Sequence, residues 1–205
     1  MRITRCGYLA LSLSGFLFLA GPVRGASWSE GSNGDLSGTV GAPSTLTLDP
    51  GANLVTATSG GGDFDLLAFS VPNGHQLDSI FLTSYGGLRQ SFTGIQSGGT
   101  WGAGLGGAVN PAGILGWSHY GPASAVAVGT NMLDNISTGA GAIGFTPPLG
   151  TGTYTQLFQE TGGAESFSVT YNVSAVPEPS SLALLVAAAL VGGAWRLRGR
   201  RVGLC

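Results

Sequence analysis

The chain is 205 residues long, and only 9% of it is charged, with 8 Lys and Arg against 10 Asp and Glu, while 37 residues are glycine. Seven of the eight basic residues sit at the two ends, so the stretch from Ala26 to Val176 holds nine acids against the single base Arg89, a balance of −8. A lysine-free acidic domain lacks the cations that phosphates demand, which excludes nucleic acid and anionic lipid as its partners and leaves divalent cations and neutral or cation-bridged polysaccharide.

At the start of the chain Arg2 and Arg5 precede an apolar run from Tyr8 to Ala20, and Val23-Arg24-Gly25 closes it. This order of basic, apolar and short residues predicts a signal peptide over residues 1–25, cut after Gly25, and hence export across the inner membrane. Cys6 lies before the apolar run, so it is not placed to be a lipidated cysteine. The other cysteine is Cys205, at the far end, so the exported domain has no disulfide to staple it. Its stability has to come from a core, which about 150 residues can supply in one domain.

From Ala26 onward no stretch sustains a helical period with caps, and short β-rich runs recur. Strands are predicted over Thr45–Leu48, Leu54–Thr58, Phe64–Val71, Leu77–Tyr85, Phe92–Gln96, Ile114–Tyr120, Tyr154–Glu160 and Phe167–Val173. Between them stand Gly60-Gly61-Gly62, Pro72-Asn73-Gly74, Gly86-Gly87, Gly98-Gly99, Pro147-Pro148 and Gly162-Gly163, turn signals at sandwich-like spacing. The expected fold is all-β, an antiparallel, jelly-roll-like β-sandwich over residues 26–175. Phe64–Val71 is apolar on both faces, the pattern of a central strand, and so is Leu77–Tyr85. Phe167, Val169, Tyr171 and Val173 alternate with polar residues, the pattern of a strand with one face in the core. Gly98–Gly107 and Ala123–Gly144 give no defined element, and Asn131–Ile136 reads as an ordered surface loop, with one helical turn as the alternative.

Asp63 and Asp65 are the candidate metal ligands. Carboxylates two apart on a strand point the same way, and with carbonyls from Gly60–Gly62 they would offer a hard cation such as calcium several oxygens. The plainer alternative is a solvated acidic pair at a strand entry, since no complete Asp-x-Asp-x-Asp-Gly loop follows. His75 and His119 bring no catalytic motif with them: a Gly-x-Ser-x-Gly elbow, a His-Glu-x-x-His helix and a phosphate loop are all lacking. Adjacent Ser118 and His119 project to opposite faces of a strand, so no catalytic residue is assigned and a non-enzymatic protein is expected. Tyr85, Trp101, Trp117 and Tyr120 are candidates for a sugar-stacking platform, against the ordinary role of aromatics in a core.

After the last predicted strand come Val176-Pro177-Glu178-Pro179, an apolar run from Leu182 to Trp195, and a tail holding Arg196, Arg198, Arg200 and Arg201. The prolines hold the backbone extended, so a helix can start only after Pro179. Fourteen residues at ~1.5 Å each give about 21 Å of helix, against a hydrocarbon core of ~30 Å. That is short for a permanent anchor, and the arginines resist crossing the bilayer and act as a membrane stop. An ordinary single-pass anchor is the alternative.

The order Pro-Glu-Pro, short apolar helix, basic tail over residues 176–201 resembles the PEP-CTERM sorting signal of Gram-negative bacteria. The resemblance implies that Pro177, Glu178 and Pro179 are read by an exosortase, a membrane-embedded cysteine transpeptidase. That enzyme would remove the helix and tail and release the protein after a transient stay in the membrane. The succession Gly62-Asp63-Phe64-Asp65, Phe69-Ser70-Val71-Pro72-Asn73-Gly74 and Gly152-Thr153-Tyr154 is similar to bacterial pre-peptidase C-terminal-like β-sandwiches. Those are non-catalytic modules of secreted proteins, some of which bind calcium. The expected function is therefore a non-catalytic surface or extracellular-matrix protein, with exopolysaccharide as the neighbour implied by the sorting resemblance. The competing expectations are a secreted hydrolase with an unrecognised site and a calcium-dependent adhesion module.

Overall fold

Alternating side chains and glycine-rich turns fold the middle of the chain into two facing sheets. The computed structural model describes residues 25–122, 124–160 and 163–177, together with 184, 188 and 189. The signal peptide and most of the apolar run predicted for 182–195 lie outside the described residues; Leu184, Ala188 and Ala189 within that run are helical. Among the described residues no helix is long and apolar enough to cross a membrane.

The elements are β1 (Ser27–Ser29), α1 (Glu30–Asn33), β2 (Ser44–Thr47), β3 (Gly51–Ser59), β4 (Phe64–Val71), β5 (His75–Tyr85), β6 (Ser91–Ser97), β7 (Gly116–Tyr120), α2 (Met132–Ser137), β8 (Gly152–Gln159) and β9 (Glu165–Ala175). A four-stranded sheet runs β1-β3-β9-β5 and a five-stranded one β2-β4-β8-β6-β7. Residues 129–131 return to the open edge of β5, where Gly129 N donates to Leu82 O at 2.7 Å and Leu82 N to Thr130 O at 3.2 Å. With that return the chain visits the two sheets in jelly-roll-like order. The expectation of a purely antiparallel sandwich needs one correction: β1 pairs with β3, and β2 with β4, in parallel. Both are short strands added at a sheet edge from the N-terminal segment, and β1 was not predicted.

The eight predicted strands are all present, with ends displaced by a few residues. β4 lies centrally between β2 and β8, as its two apolar faces require. β5 is apolar on both faces for another reason. Register shifts between Leu77 and Ser79 and between Leu82 and Ser84 break its alternation. The bulge at Asp78 turns Leu77, Ile80 and Leu82 into one core, where strict alternation would have split them.

Leu67, Phe69 and Val71 of β4, Phe158 of β8 and Tyr120 of β7 pack across the sandwich against Val55, Phe167, Val169 and Tyr171. Phe69 sits 5.2 Å from the Tyr171 ring and 5.6 Å from that of Tyr154. Phe158 meets Phe167 at 4.7 Å. One polar chain crosses this interior. Tyr171 Oη donates to Gln156 Oε1 at 2.8 Å, and Gln156 Nε2 donates to Thr93 Oγ1 at 2.9 Å, so burial leaves these groups bonded.

The outer faces differ. On the four-stranded sheet, Thr56 Oγ1 meets Ser168 Oγ at 3.0 Å and Asn172 Nδ2 donates to Ser79 Oγ at 2.9 Å, a polar surface. On the five-stranded sheet, Leu66 and Leu157 are buried beneath Trp101, Ala103 and Ile114. The glycine-rich segment that gave no defined element is thus a cover for a second core. Gly94 makes room for it: a Cβ there would stand 3.3 Å from both Trp101 and Ile114. The expected loop at Asn131–Ile136 is instead the short helix α2. Asn131 Oδ1 caps it by accepting from Leu133 N at 3.2 Å, and also accepts from Ile80 N at 3.0 Å. Met132, Leu133 and Ile136 are buried, so packing rather than propensity makes this turn helical.

Candidate functional site

Strand register defines two ends of the sandwich. His75 pairs with Ala175 and Val71 with Gly152 at one end, from which the C-terminal tail leaves. Tyr85 pairs with Phe167, Ser59 with Glu165 and Phe64 with Gln159 at the other. The eleven residues of β9 separate them by roughly 33 Å.

The far end is acidic and buried. Alternation along β4 turns Asp65 inward with Leu67 and Phe69, and Asp65 is fully buried with neither carboxylate oxygen hydrogen-bonded. Glu165, paired opposite Ser59, is 4% exposed, and its Oε2 is likewise buried without a partner. Asp63 is not part of the strand that sets Asp65. It stands in the turn before β4, where its N donates to Gly60 O at 2.8 Å, so the two-apart alternation expected of a strand does not reach it.

Two other acids come to Asp65 instead. Parallel pairing of β1 with β3 carries Glu30 to Thr58, whose N and Oγ1 donate to Glu30 Oε2 at 2.7 and 2.8 Å. Glu30 Oε1 is then buried without a partner. Asp35 follows, and Leu66 N donating to Ser37 O at 3.0 Å ties that segment across β4. One carboxylate oxygen each from Glu30, Asp35 and Asp65 lie within 4.8 Å of one another. Burial chiefly, then the charges of Asp63 and Glu30, pushes the Asp65 carboxyl up to about 8. The nearby Ser59 hydroxyl, aimed at the Asp63 carbonyl at 3.5 Å, opposes this only in part. Asp63 is raised too, by burial and then by Asp35. Sequence reasoning found Asp65 and missed Glu30 and Asp35, because their approach depends on the unpredicted strand β1.

A second feature lies along the edge strand β7. Its alternation sets Trp117 and His119 on the outer face and Ser118 and Tyr120 inward. Ser118 Oγ donates to the His119 carbonyl at 3.0 Å, and the two side chains leave the strand on opposite faces, as expected. Gln90, Trp117, His119, Thr138 and Gly139 line an open cleft of about 390 Å³. Phe92 stacks on Trp117 at 5.7 Å, and the His119 ring meets Trp117 edge-on at 5.6 Å. Trp117 Nε1 donates to Ala140 O at 2.9 Å, which fixes the indole. The other candidate aromatics are used elsewhere. Trp101 and Tyr120 are buried, and Tyr85 donates its hydroxyl to Arg89 O at 2.6 Å. Gly116 lets α2 close over this strand: a Cβ there would fall 1.9 Å from the Ile136 carbonyl oxygen.

At the tail end, Val176 N donates to Gly74 O at 2.8 Å, and Pro177 is exposed immediately beyond. Glu178 and Pro179, and the stop residues Arg196, Arg198, Arg200 and Arg201, lie outside the described residues.

No curated protein and no solved structure matches the chain, and nothing extends the likeness to pre-peptidase C-terminal-like modules. Residues 175–201 match a family model described as the PEP-CTERM protein-sorting motif. The motif marks an extracellular protein that is exported, processed at its C-terminus by an exosortase, and destined for the cell surface or the medium.

Proposed function

We propose that the sandwich is a non-catalytic component of the cell surface or extracellular matrix, and that the cleft along β7 holds a strand of exopolysaccharide. The observation that carries this reading is the run of Phe92, Trp117 and His119 rings beside an open cleft. A sugar ring presents a flat face of C–H groups edged by hydroxyls. Rings flanked by polar side chains such as Gln90 and Thr138 match that chemistry. The charge of −8 between Ala26 and Val176 favours a neutral or cation-bridged chain over a bare anionic one. Signal-peptide cleavage, brief anchoring by the apolar run and removal of the tail complete the proposed route to the surface.

Affinity electrophoresis of the exported protein through gels containing neutral polysaccharide tests the reading. Retardation is expected, and Trp117→Ala should weaken it about tenfold. Free migration in every polysaccharide tried would overturn the cleft assignment. Release of reducing ends that is abolished by His119→Ala would establish the hydrolase instead.

A further inference from the structure

We propose that Glu30, Asp35 and Asp65 bind one calcium ion, which fastens the N-terminal strand and helical turn to the end of the sandwich opposite the sorting tail. This site shares no residue with the cleft and does not depend on polysaccharide binding.

Three carboxylates alone would say little, because acidic groups often cluster without a ligand. What sets these apart is the state of their oxygens. Asp65 is fully buried, and neither Oδ1 nor Oδ2 has a hydrogen-bond partner. Buried Glu30 Oε1 is in the same position, although Oε2 of that carboxylate is held by two donors from Thr58. Thr58 thus fixes the side chain through Oε2 and leaves Oε1 without a partner. A buried polar atom without a partner costs about 1–3 kcal/mol, more when it is charged, so three together require a ligand to repay them.

Two species can neutralise such a cluster. Protonation of Asp65 removes one charge and supplies one donor, too few for three unpartnered oxygens. A metal ion satisfies both charge and coordination. No base stands in for it, since Arg89 is the only Lys or Arg from Ala26 to Val176 and lies exposed beyond β5. The raised affinity of Asp65 for a proton in the empty cluster has the same cause, burial beside other acids.

The donors are all carboxylate oxygen, with no imidazole or thiolate, which selects a hard cation. Two ligands of one calcium ion, each at 2.3–2.6 Å, can stand at most about 4.6–5.2 Å apart. Three oxygens within 4.8 Å of one another come onto such a sphere with small side-chain shifts. Magnesium at 2.0–2.1 Å demands a tighter approach and near-ideal octahedral order, to which a buried aspartate, the first residue of α1 and an acid of the following loop are less suited.

The test uses the chelator-stripped exported protein and calcium chloride as the probe. Titration calorimetry should find one site, and calcium at a hundred times its Kd should raise Tm by roughly 5–10 °C. Asp35→Asn is the key variant, because Asp35 is exposed and its loss does not endanger the fold. That variant should bind calcium at least tenfold more weakly and lose most of the Tm response. Asp63→Asn, which removes a nearby charge but no ligand, should weaken binding less than Asp35→Asn and keep most of the Tm response. No response to calcium, an undiminished response in Asp35→Asn, or a response to magnesium alone would each overturn the proposal.

Discussion

Asn53 and Asp65 are both fully buried polar side chains on inward-facing strand positions, and the fold treats them in opposite ways. Asn53 Oδ1 accepts from Ala26 N and Asp49 N, both at 2.8 Å, while Nδ2 donates to the carbonyls of Asp49, Gly51 and Tyr171 at 2.8, 3.1 and 3.2 Å. Every polar atom of that amide is used, and the amide pins the chain between β2 and β3 to β9. Asp65, one strand later and toward the other end, has no partner within hydrogen-bond distance on either oxygen, with only the Ser59 hydroxyl nearby. A buried group with a full set of bonds explains itself as structure. One with none, beside other acids, asks for something from outside the chain.

The largest effect should come from giving Asn53 the character of Asp65. Asn53→Asp would aim a carboxylate at the three carbonyl oxygens that now accept from Nδ2. With an uncompensated buried charge, about 3–5 kcal/mol of stability should be lost, readable as a lower urea midpoint at unchanged slope. A loss below 1 kcal/mol would mean that the tail end tolerates orphaned polar groups too, and the contrast between the ends would fail.

A middle case is Gln156, fully buried and bonded at both amide atoms. Gln156→Leu keeps the volume but strips Tyr171 Oη and Thr93 Oγ1 of their partner, and should cost about 1–3 kcal/mol by the same measurement. The reverse replacement at the acidic end should cost less. In chelator, Asp65→Asn exchanges one unbonded buried side chain for another of the same shape, so stability should stay within about 1 kcal/mol of the parent while the calcium response disappears. If this variant unfolds the metal-free protein, Asp65 is structural in the manner of Asn53.

The same contrast explains what could be read in the sequence. Strands announce themselves through neighbours in the chain, and β4, with Phe64 to Val71 alternating between two apolar faces, is found at the very residues predicted. The bulge at Asp78 is invisible because it depends on how β5 meets β9. The cover over the five-stranded sheet is hidden for a similar reason. Trp101, Ala103 and Ile114 stand among glycines with no period, and only Leu66 and Leu157, buried on the outer face of strands far away in the chain, give them something to pack on. Asp65 could be singled out together with Asp63, which acts on it through its charge but stands outside the three-acid group. The alternation argument stops where the strand stops, and Glu30 and Asp35 reach the site through a three-residue parallel strand too short to carry a pattern.

The smallest effect sharpens the comparison most, because it touches neither a core side chain nor a proposed ligand. Thr58 faces outward on β3 and gives Glu30 Oε2 two donors, one from the backbone and one from the hydroxyl. Thr58→Val keeps the β-branched shape and the backbone bond and removes the 2.8 Å hydroxyl bond. Stability in chelator should fall by no more than about 0.5–1 kcal/mol, as for an ordinary partly solvated hydrogen bond. Calcium affinity should fall further in proportion, about tenfold, since a supporting hydrogen bond to a metal ligand commonly carries that much. Calorimetry on the variant separates the two quantities. Equal affinity in parent and Thr58→Val would show that Glu30 needs no support to hold its free oxygen in place, and would leave Asp35 and Asp65 as the groups that decide the site.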